Sequence, residues 1–104
     1  MVALTSEQRF NQEQIQHLSS LRFINKIDDH LGIISGVKIY SEDSDLSNYV
    51  LLILEIYYDG EKIDMLSFNL RNYDYEEIVK VARNIRSNEF ILQEVDNLLA
   101  GNIE

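Results

Sequence analysis

The feature that most constrains the fold is Asp59-Gly60, which separates two apolar, β-branched and aromatic runs. The first run is VLLILEIYY at 50–58, and the second is KIDMLSFNL at 62–70. A type I′ turn needs positive φ at both central residues, and Asp-Gly is one of the pairs that adopt it most readily. The sequence therefore predicts a β-hairpin that extends from Tyr49 to Leu70.

The simplest register of this hairpin places Tyr58 opposite Glu61. Side chains alternate along a strand, so one face then carries the pairs Ile56–Ile63, Leu54–Met65 and Leu52–Ser67. The other face carries the pairs Tyr57–Lys62, Glu55–Asp64, Ile53–Leu66 and Leu51–Phe68. An antiparallel sheet usually exposes one face to water, so the apolar residues of this second face need a cover: a helix, a second copy or a partner.

The same register contains an unfavourable contact, because Glu55 lies directly opposite Asp64. Like charges at opposite positions destabilise a hairpin, and Lys62 is the diagonal neighbour that can offset them. A G1-bulged turn is the alternative, since it shifts the register by one residue and removes the pair.

Composition limits the class of protein. A chain of 104 residues is expected to form one domain, 1–104. It contains no cysteine, which excludes a disulfide framework and a thiolate metal site and favours a reducing compartment. The longest apolar run, at 49–54, is too short to span a membrane, and the N-terminus lacks the layout of a signal peptide. We therefore expect a cytoplasmic protein.

The formal net charge of −9 argues against nucleic acid as a direct partner, because binding to it normally requires Lys and Arg at the phosphates. Much of the negative charge lies between residues 41 and 66, where Lys62 is the one basic residue. The acidic residues of that segment are Glu42, Asp43, Asp45, Glu55, Asp59, Glu61 and Asp64. The sequence thus predicts a local negative field on the hairpin and on the loop before it.

Helices are predicted on both sides of the strands. Thr5 and Gln8 match a capping box at the start of the first helix. Apolar residues at helical spacing continue this helix towards Leu31: Leu18, Leu21, Ile24, Ile27 and Leu31. Gly32 is its expected end. Ser19-Ser20 offers a break into two helices. After the hairpin, Asp74 caps a helix whose apolar stripe is Ile78, Ala82 and Ile85.

The C-terminal helical region has two interpretations. It forms either one long helix or two helices separated at Ser87-Asn88, and we favour the break; Gly101 ends the region. With a strand at 33–40 and a polar loop at 41–48, the prediction is an α+β single domain of order αβββα. It has a three-stranded antiparallel sheet packed by helices and an extra helix at each end.

No catalytic or metal-binding constellation is present. Ser41, Ser44 and Ser47 have no histidine close in sequence, and there is no nucleophile elbow or phosphate-binding glycine loop. In a helix, the consecutive side chains of Asp28, Asp29 and His30 would point in different directions, so they could not bind one metal ion together. The run at 42–45 lacks the glycine and the closing glutamate of a calcium loop. We expect no enzyme activity, metal or cofactor.

Tyr57 and Tyr58 stand beside Asp59-Gly60 and combine aromatic side chains with carboxylates, as protein-binding hot spots do. The predicted partner-binding residues are those of the acidic loop and of the hairpin end: Glu42, Asp43, Asp45, Tyr57, Tyr58, Asp59, Gly60, Glu61 and Asp64.

The segment from Val37 to Val81 resembles certain phage-encoded anti-CRISPR inhibitors of the type II-A effector nuclease. The resemblance is carried by the strand Val37-Lys38-Ile39, the acidic loop 41–47, the run 53–57, the Asp59-Gly60 turn and Glu76-Glu77-Ile78. In that family an aspartate-glycine tip enters the nuclease site, and acidic loops mimic DNA phosphates at the site that reads the flanking motif of the target.

Carried over to this chain, the resemblance implies that Tyr58, Asp59, Gly60 and Glu61 form the tip. It assigns the phosphate mimic to Glu42, Asp43 and Asp45. The chain departs from the family at 86–89, where Arg-Ser-Asn-Glu replaces a very acidic loop, and in its longer N-terminal helical region.

Acidic side chains on a stiff hairpin offer a preformed negative surface to an Arg- and Lys-rich groove. We therefore expect a non-enzymatic inhibitor that binds the basic groove of a nucleic-acid-processing protein. Two alternatives stay open at this level: an immunity protein or antitoxin for a nuclease toxin, and a structural homodimer that pairs through its second apolar face.

Overall fold

The computed structural model describes residues 10–40 and 50–103. In chain order its elements are α1 (Gln12–Ser20), β1 (Arg22–Lys26), β2 (Leu31–Ile39), β3 (Val50–Tyr58), β4 (Glu61–Asn69), α2 (Tyr75–Arg83), a 3₁₀ turn (Ile85–Ser87) and α3 (Glu89–Ile103). The described strands form one antiparallel sheet in the order β1-β2-β3-β4. The α+β class is confirmed, whereas the prediction of three strands is wrong because the described residues alone form four.

The additional strand is β1, which lies where the sequence predicted a helix running towards Leu31. Helix α1 ends at Ser20, whose hydroxyl donates to the carbonyl of His17 (2.8 Å), and Leu21 is already extended (ψ 133°). The chain thus breaks at Ser19-Ser20, but into a strand and not a second helix. Ile24, expected on an apolar helix stripe, is 77% exposed.

Capping boxes begin two of the helices. Asp74 and Glu77 form the predicted box at α2, with backbone-to-carboxylate bonds of 2.8 and 3.0 Å, which confirms this start. Asn11 and Gln14 form an equivalent box at α1. The predicted start at Thr5 lies outside the described residues.

The predicted break in the C-terminal region is confirmed. The 3₁₀ turn separates α2 from α3, and the side chain of Asn88 accepts a hydrogen bond from the backbone N–H of Ile91 (3.0 Å). Gly101 does not end the last helix, because α3 continues to Ile103. Glycine at an exposed helix position costs only about 1 kcal/mol relative to alanine, so it does not by itself end a helix.

The register of the β3–β4 hairpin is as predicted only next to the turn. Tyr58 lies opposite Glu61 and Tyr57 opposite Lys62, but Ile56 then pairs with Asp64, so Ile63 is an extra residue in β4. This bulge shifts every later pair by one residue and places Leu66 and Phe68 opposite Leu54 and Leu52.

The bulge also removes the predicted like-charge pair. Glu55 lies opposite Met65, and its carboxylate contacts Lys62 Nζ (3.3 Å) and Arg22 Nη1 (3.7 Å). The predicted pairs Ile56–Ile63, Leu54–Met65 and Leu52–Ser67 are therefore wrong. The physical reason is that one extra residue reverses the face to which every later side chain of β4 points. Leu66 and Phe68 are thereby directed towards the core.

One face of the sheet carries the core. The buried side chains of β2 and β3 pack there against the buried side chains of the helices: Leu18, Ile78, Ala82, Ile85, Ile91 and Val95. Ser35, also buried, donates a hydrogen bond to the carbonyl of Ala82 in α2. The opposite face, which we call the open face, presents the alternate side chains of each strand, and none of the described helices packs against it.

Candidate functional site

Two tight turns lie side by side at one end of the sheet. The β3–β4 turn is Asp59-Gly60, with φ values of 51° and 85°, and these positive values confirm the predicted turn. The β1–β2 turn spans residues 27–30. The backbone N–H of Asp59 donates to the carbonyl of His30 (2.8 Å), and His30 Nδ1 contacts Asp59 Oδ1 (2.7 Å). The two turns are therefore joined through both backbone and side chains.

Asp28 holds the β1–β2 turn in place. Its Oδ1 accepts hydrogen bonds from the backbone N–H groups of His30 and Leu31, both at 2.8 Å. These two bonds stabilise the charged form of the Asp28 carboxyl and so lower its pKa below the ordinary value, and the bond from Leu31 has the larger effect. The turn is thus fixed by a carboxylate that stays ionised at neutral pH.

The joined turns gather four exposed carboxylates, which we call the acidic end: Asp28, Asp29, Asp59 and Glu61. The basic groups of the same turns and of the residues next to them are Lys26, His30 and Lys62, and Lys62 is paired with Glu55. Because Asp59 and His30 side chains are each 60% exposed, this charge faces solvent. The acidic end is a rigid, negatively charged surface.

His30 is the group of this site whose ordinary pKa lies nearest to neutral pH. Its hydrogen bond to Asp59, together with the negative charge of Asp59, raises the pKa of His30 above its ordinary value of 6.5. Tyr58 stacks on the imidazole, with ring centroids 5.6 Å apart and an interplanar angle of 20°. Protonation of His30 therefore reduces the negative charge of the acidic end by one unit.

We expect the His30 ring to titrate with a midpoint above 6.5 in an NMR pH titration. Because the folded-state pKa is raised, the contribution of this pair to stability is fully present below pH 6.5 and is lost as pH rises through the folded-state pKa. Asp59→Asn, which keeps a residue that tolerates positive φ, should return the midpoint towards 6.5. An unchanged midpoint in that variant would contradict the assigned pairing.

The structure places the predicted binding residues at different sites. Tyr58, Asp59, Gly60 and Glu61 lie together at the turn. Tyr57 points to the open face. Asp64 lies beside the bulge, opposite Ile56, and its Oδ1 accepts the backbone N–H of Met65 (2.8 Å).

The acidic loop residues Glu42, Asp43 and Asp45 lie outside the described residues. The strand residues before and after that loop in sequence, Ile39 and Val50, pair with each other at the opposite end of the sheet from Asp59.

Sequence reasoning missed the contribution of Asp28, Asp29 and His30 to this surface, because it placed them in a helix. Their neighbours carry the signal for a turn. Asp-Asp-His stands between the alternating segment at 22–26 and the apolar strand that begins at Leu31, and Asp at the start of a turn accepts backbone N–H groups two and three residues ahead.

A hollow of about 270 Å³ opens on the sheet beside the acidic end. Gly32 forms part of its lining, with Ile24 and Ile34 on one side and Tyr57 on the other. The charged and titratable residues that line it are Lys26, Asp28, Asp29 and His30. This volume accommodates one large side chain or a small ligand.

No family model, curated protein or solved structure matches this chain. None of the described helices is long and apolar enough to cross a membrane. Within 10–40 and 50–103, no group of three or more His, Cys, Asp or Glu side chains is arranged to hold a metal ion.

Proposed function

We propose that this protein is a non-enzymatic inhibitor whose acidic end binds a basic groove of a nucleic-acid-processing protein. The observation that carries the proposal is the pairing of the two turns, because it joins the backbone segments that bear four carboxylates, of which Asp28 and Asp59 are held by hydrogen bonds. A preformed negative surface accelerates association with a cationic site, and little conformational entropy is lost when it docks.

The resemblance described above suggests a type II-A CRISPR effector nuclease as the first target to test. In this proposal Asp59, Gly60 and Glu61 enter the cationic site, and Asp28 and Asp29 widen the negative surface around them. Tyr58 is half-buried against His30, so it supports the turn and contributes aromatic contact area at its edge.

The test is a pair of charge-neutralising substitutions, Asp59→Asn with Glu61→Gln. Asparagine tolerates the positive φ of position 59, so the turn is retained while two negative charges are removed. We expect the affinity for the effector nuclease, and the inhibition of its DNA cleavage, to fall by at least about tenfold, which corresponds to about 1.4 kcal/mol.

The matched control is Glu76→Gln with Asp96→Asn, which removes the same charge from exposed helix positions. This control should bind and inhibit like the unmodified chain. Equal losses in both double variants would mean that net charge and not the acidic end governs binding. If the unmodified chain neither binds nor inhibits the nuclease, this target is excluded.

A further inference from the structure

The open face differs from the rest of the molecule in both shape and charge. Most of its central side chains are apolar: Ile24 is 77% exposed and Met65 47% exposed, and the half-buried aliphatic residues are Ile34, Leu51 and Ile53. In a register row of the sheet, Ile24 pairs with Ile34, which pairs with Glu55, which pairs with Met65, so one carboxylate lies within the apolar area. Exposed apolar side chains grouped with charged ones are typical of a protein-binding surface.

β2 leaves two gaps in the middle of this face, one on each side of the Ile34 side chain. Gly32 and Gly36 lie on either side of Ile34 and leave two positions without side chains, between the side chains of β1 and those of β3. Neither glycine has a positive φ, so the backbone conformation does not require glycine there.

Sterics do not require these glycines either. A Cβ at Gly32 would meet no atom closer than 4.0 Å, and one at Gly36 would meet the carbonyl of Leu21 at 3.4 Å, which is ordinary contact. Glycine within a strand weakens it and often marks the close approach of another backbone. The two gaps therefore let side chains of another element approach the sheet closely on either side of Ile34.

The charge of the open face is opposite to that of the chain. Four of the basic residues point to this face, Arg22, Lys26, Lys38 and Lys62, whereas Glu55 is the one acidic residue among the described positions there. Its formal charge is +3, on a chain whose formal net charge is −9.

This distribution distinguishes between the candidate occupants. A second copy that packed face to face would bring a charge of +3 against +3 and would be repelled. A partner with carboxylates on both sides of an apolar stripe would instead meet Lys26 on β1 and Lys38 at the end of β2. It would also share Arg22 and Lys62 with Glu55, whose carboxylate already contacts both.

The dimensions fit one helix. The central strands have nine residues each, which corresponds to about 27–30 Å, the length of a helix of about 18–20 residues. The hollow of about 270 Å³ beside Gly32 would receive one large apolar side chain of that helix. We propose that the open face docks an amphipathic helix of a partner protein, with an apolar stripe flanked by Asp and Glu.

This surface adjoins the acidic end at the hollow, but its charge has the opposite sign and its test substitutes other residues, so the failure of one proposal can be told from the failure of the other. The probe is an 18-residue helical peptide with leucines along one face and glutamates beside them. A matched peptide carries lysines in place of the glutamates. We expect the glutamate peptide to bind at least about tenfold more tightly than the lysine peptide in a fluorescence anisotropy titration. Backbone amide shifts in NMR should be largest along β1 and β2.

Variants of the full chain locate the binding. Lys26→Glu with Lys38→Glu should reduce the affinity for the glutamate peptide by at least about tenfold. The control, Lys80→Glu with Arg86→Glu, makes the same charge change at exposed helical positions and should leave the affinity within about twofold. Gly32→Val fills the gap beside Ile34, where an added Cβ would meet only the carbonyl oxygen of Asn25 at 4.0 Å, so the variant should fold and bind at least about tenfold more weakly.

Several results would overturn the proposal. They are no binding of the glutamate peptide, equal binding of the lysine peptide, or amide shifts confined to the helices. A dimer in sedimentation that Ile24→Glu converts to monomer would also overturn it, because the occupant of the open face would then be a second copy.

Discussion

Ile33→Ala lowers the free energy of unfolding by about 3 kcal/mol, whereas Ile24→Ala, the same substitution on the neighbouring strand, lowers it by less than about 1 kcal/mol. Ile33 is fully buried on the core face of β2, and truncation there removes apolar contacts and leaves a cavity. Ile24 is 77% exposed on the open face, so its truncation removes mainly β-propensity.

Urea titration followed by far-UV circular dichroism measures both free energies, with m-values compared to verify two-state unfolding. The two variants differ only in which face of the sheet loses atoms, so each serves as the control for the other. Similar destabilisation by both would contradict the assignment of Ile24 to an exposed strand, and would agree instead with the helix that apolar spacing predicted for residues 18–31.

That helix shows why part of the fold was not predictable. Apolar residues at 18, 21, 24, 27 and 31 satisfy helical spacing, but the same segment also alternates from Arg22 to Lys26. Local spacing cannot decide between these patterns. The strand is selected because β1 pairs with β2 and half-buries Phe23 on the core side, where α2, which is distant in sequence, packs against β1.

Features that depend on a few neighbouring residues were predictable. The Asp59-Gly60 turn, the capping box of Asp74 and Glu77 and the break near Asn88 each follow from the conformational preferences of two to four residues. The bulge at Ile63 was not, because it depends on which face of β4 the helices cover. Register in a hairpin is decided by burial as well as by its turn.

The candidate site divides in the same way. Asp59 and Glu61 could be assigned to an exposed tip because they flank a recognisable turn. Asp28 and Asp29 join them for two reasons: β1 pairs with β2, which sequence reasoning did not anticipate and which makes their segment a turn, and β2 pairs with β3, which places this turn beside Asp59. The basic character of the open face was hidden for a similar reason, since Arg22, Lys38 and Lys62 are far apart in sequence and adjoin one face only once the sheet is assembled.

The two surfaces give the chain a polarised charge distribution. The acidic end is formed by turns, where backbone N–H groups and a histidine stabilise carboxylates, whereas the open face is formed by strands, whose alternation separates its basic residues from the core. A partner that contacts both surfaces would need basic and acidic regions in a fixed relation. The acidic end and the open face adjoin each other at the hollow beside Gly32, which is lined by residues of both.

Leu66→Ala lowers the free energy of unfolding by about 2 kcal/mol, and Met65→Ala by less than about 1 kcal/mol. The bulge turns Leu66 towards the core opposite Leu54, whereas Met65 lies on the open face and is 47% exposed. Without the bulge, Met65 would face Leu54 and the order of the two effects would be reversed. Chemical denaturation of the two variants therefore reports the register directly. A larger loss for Met65→Ala than for Leu66→Ala would show that β3 and β4 pair without an extra residue at Ile63.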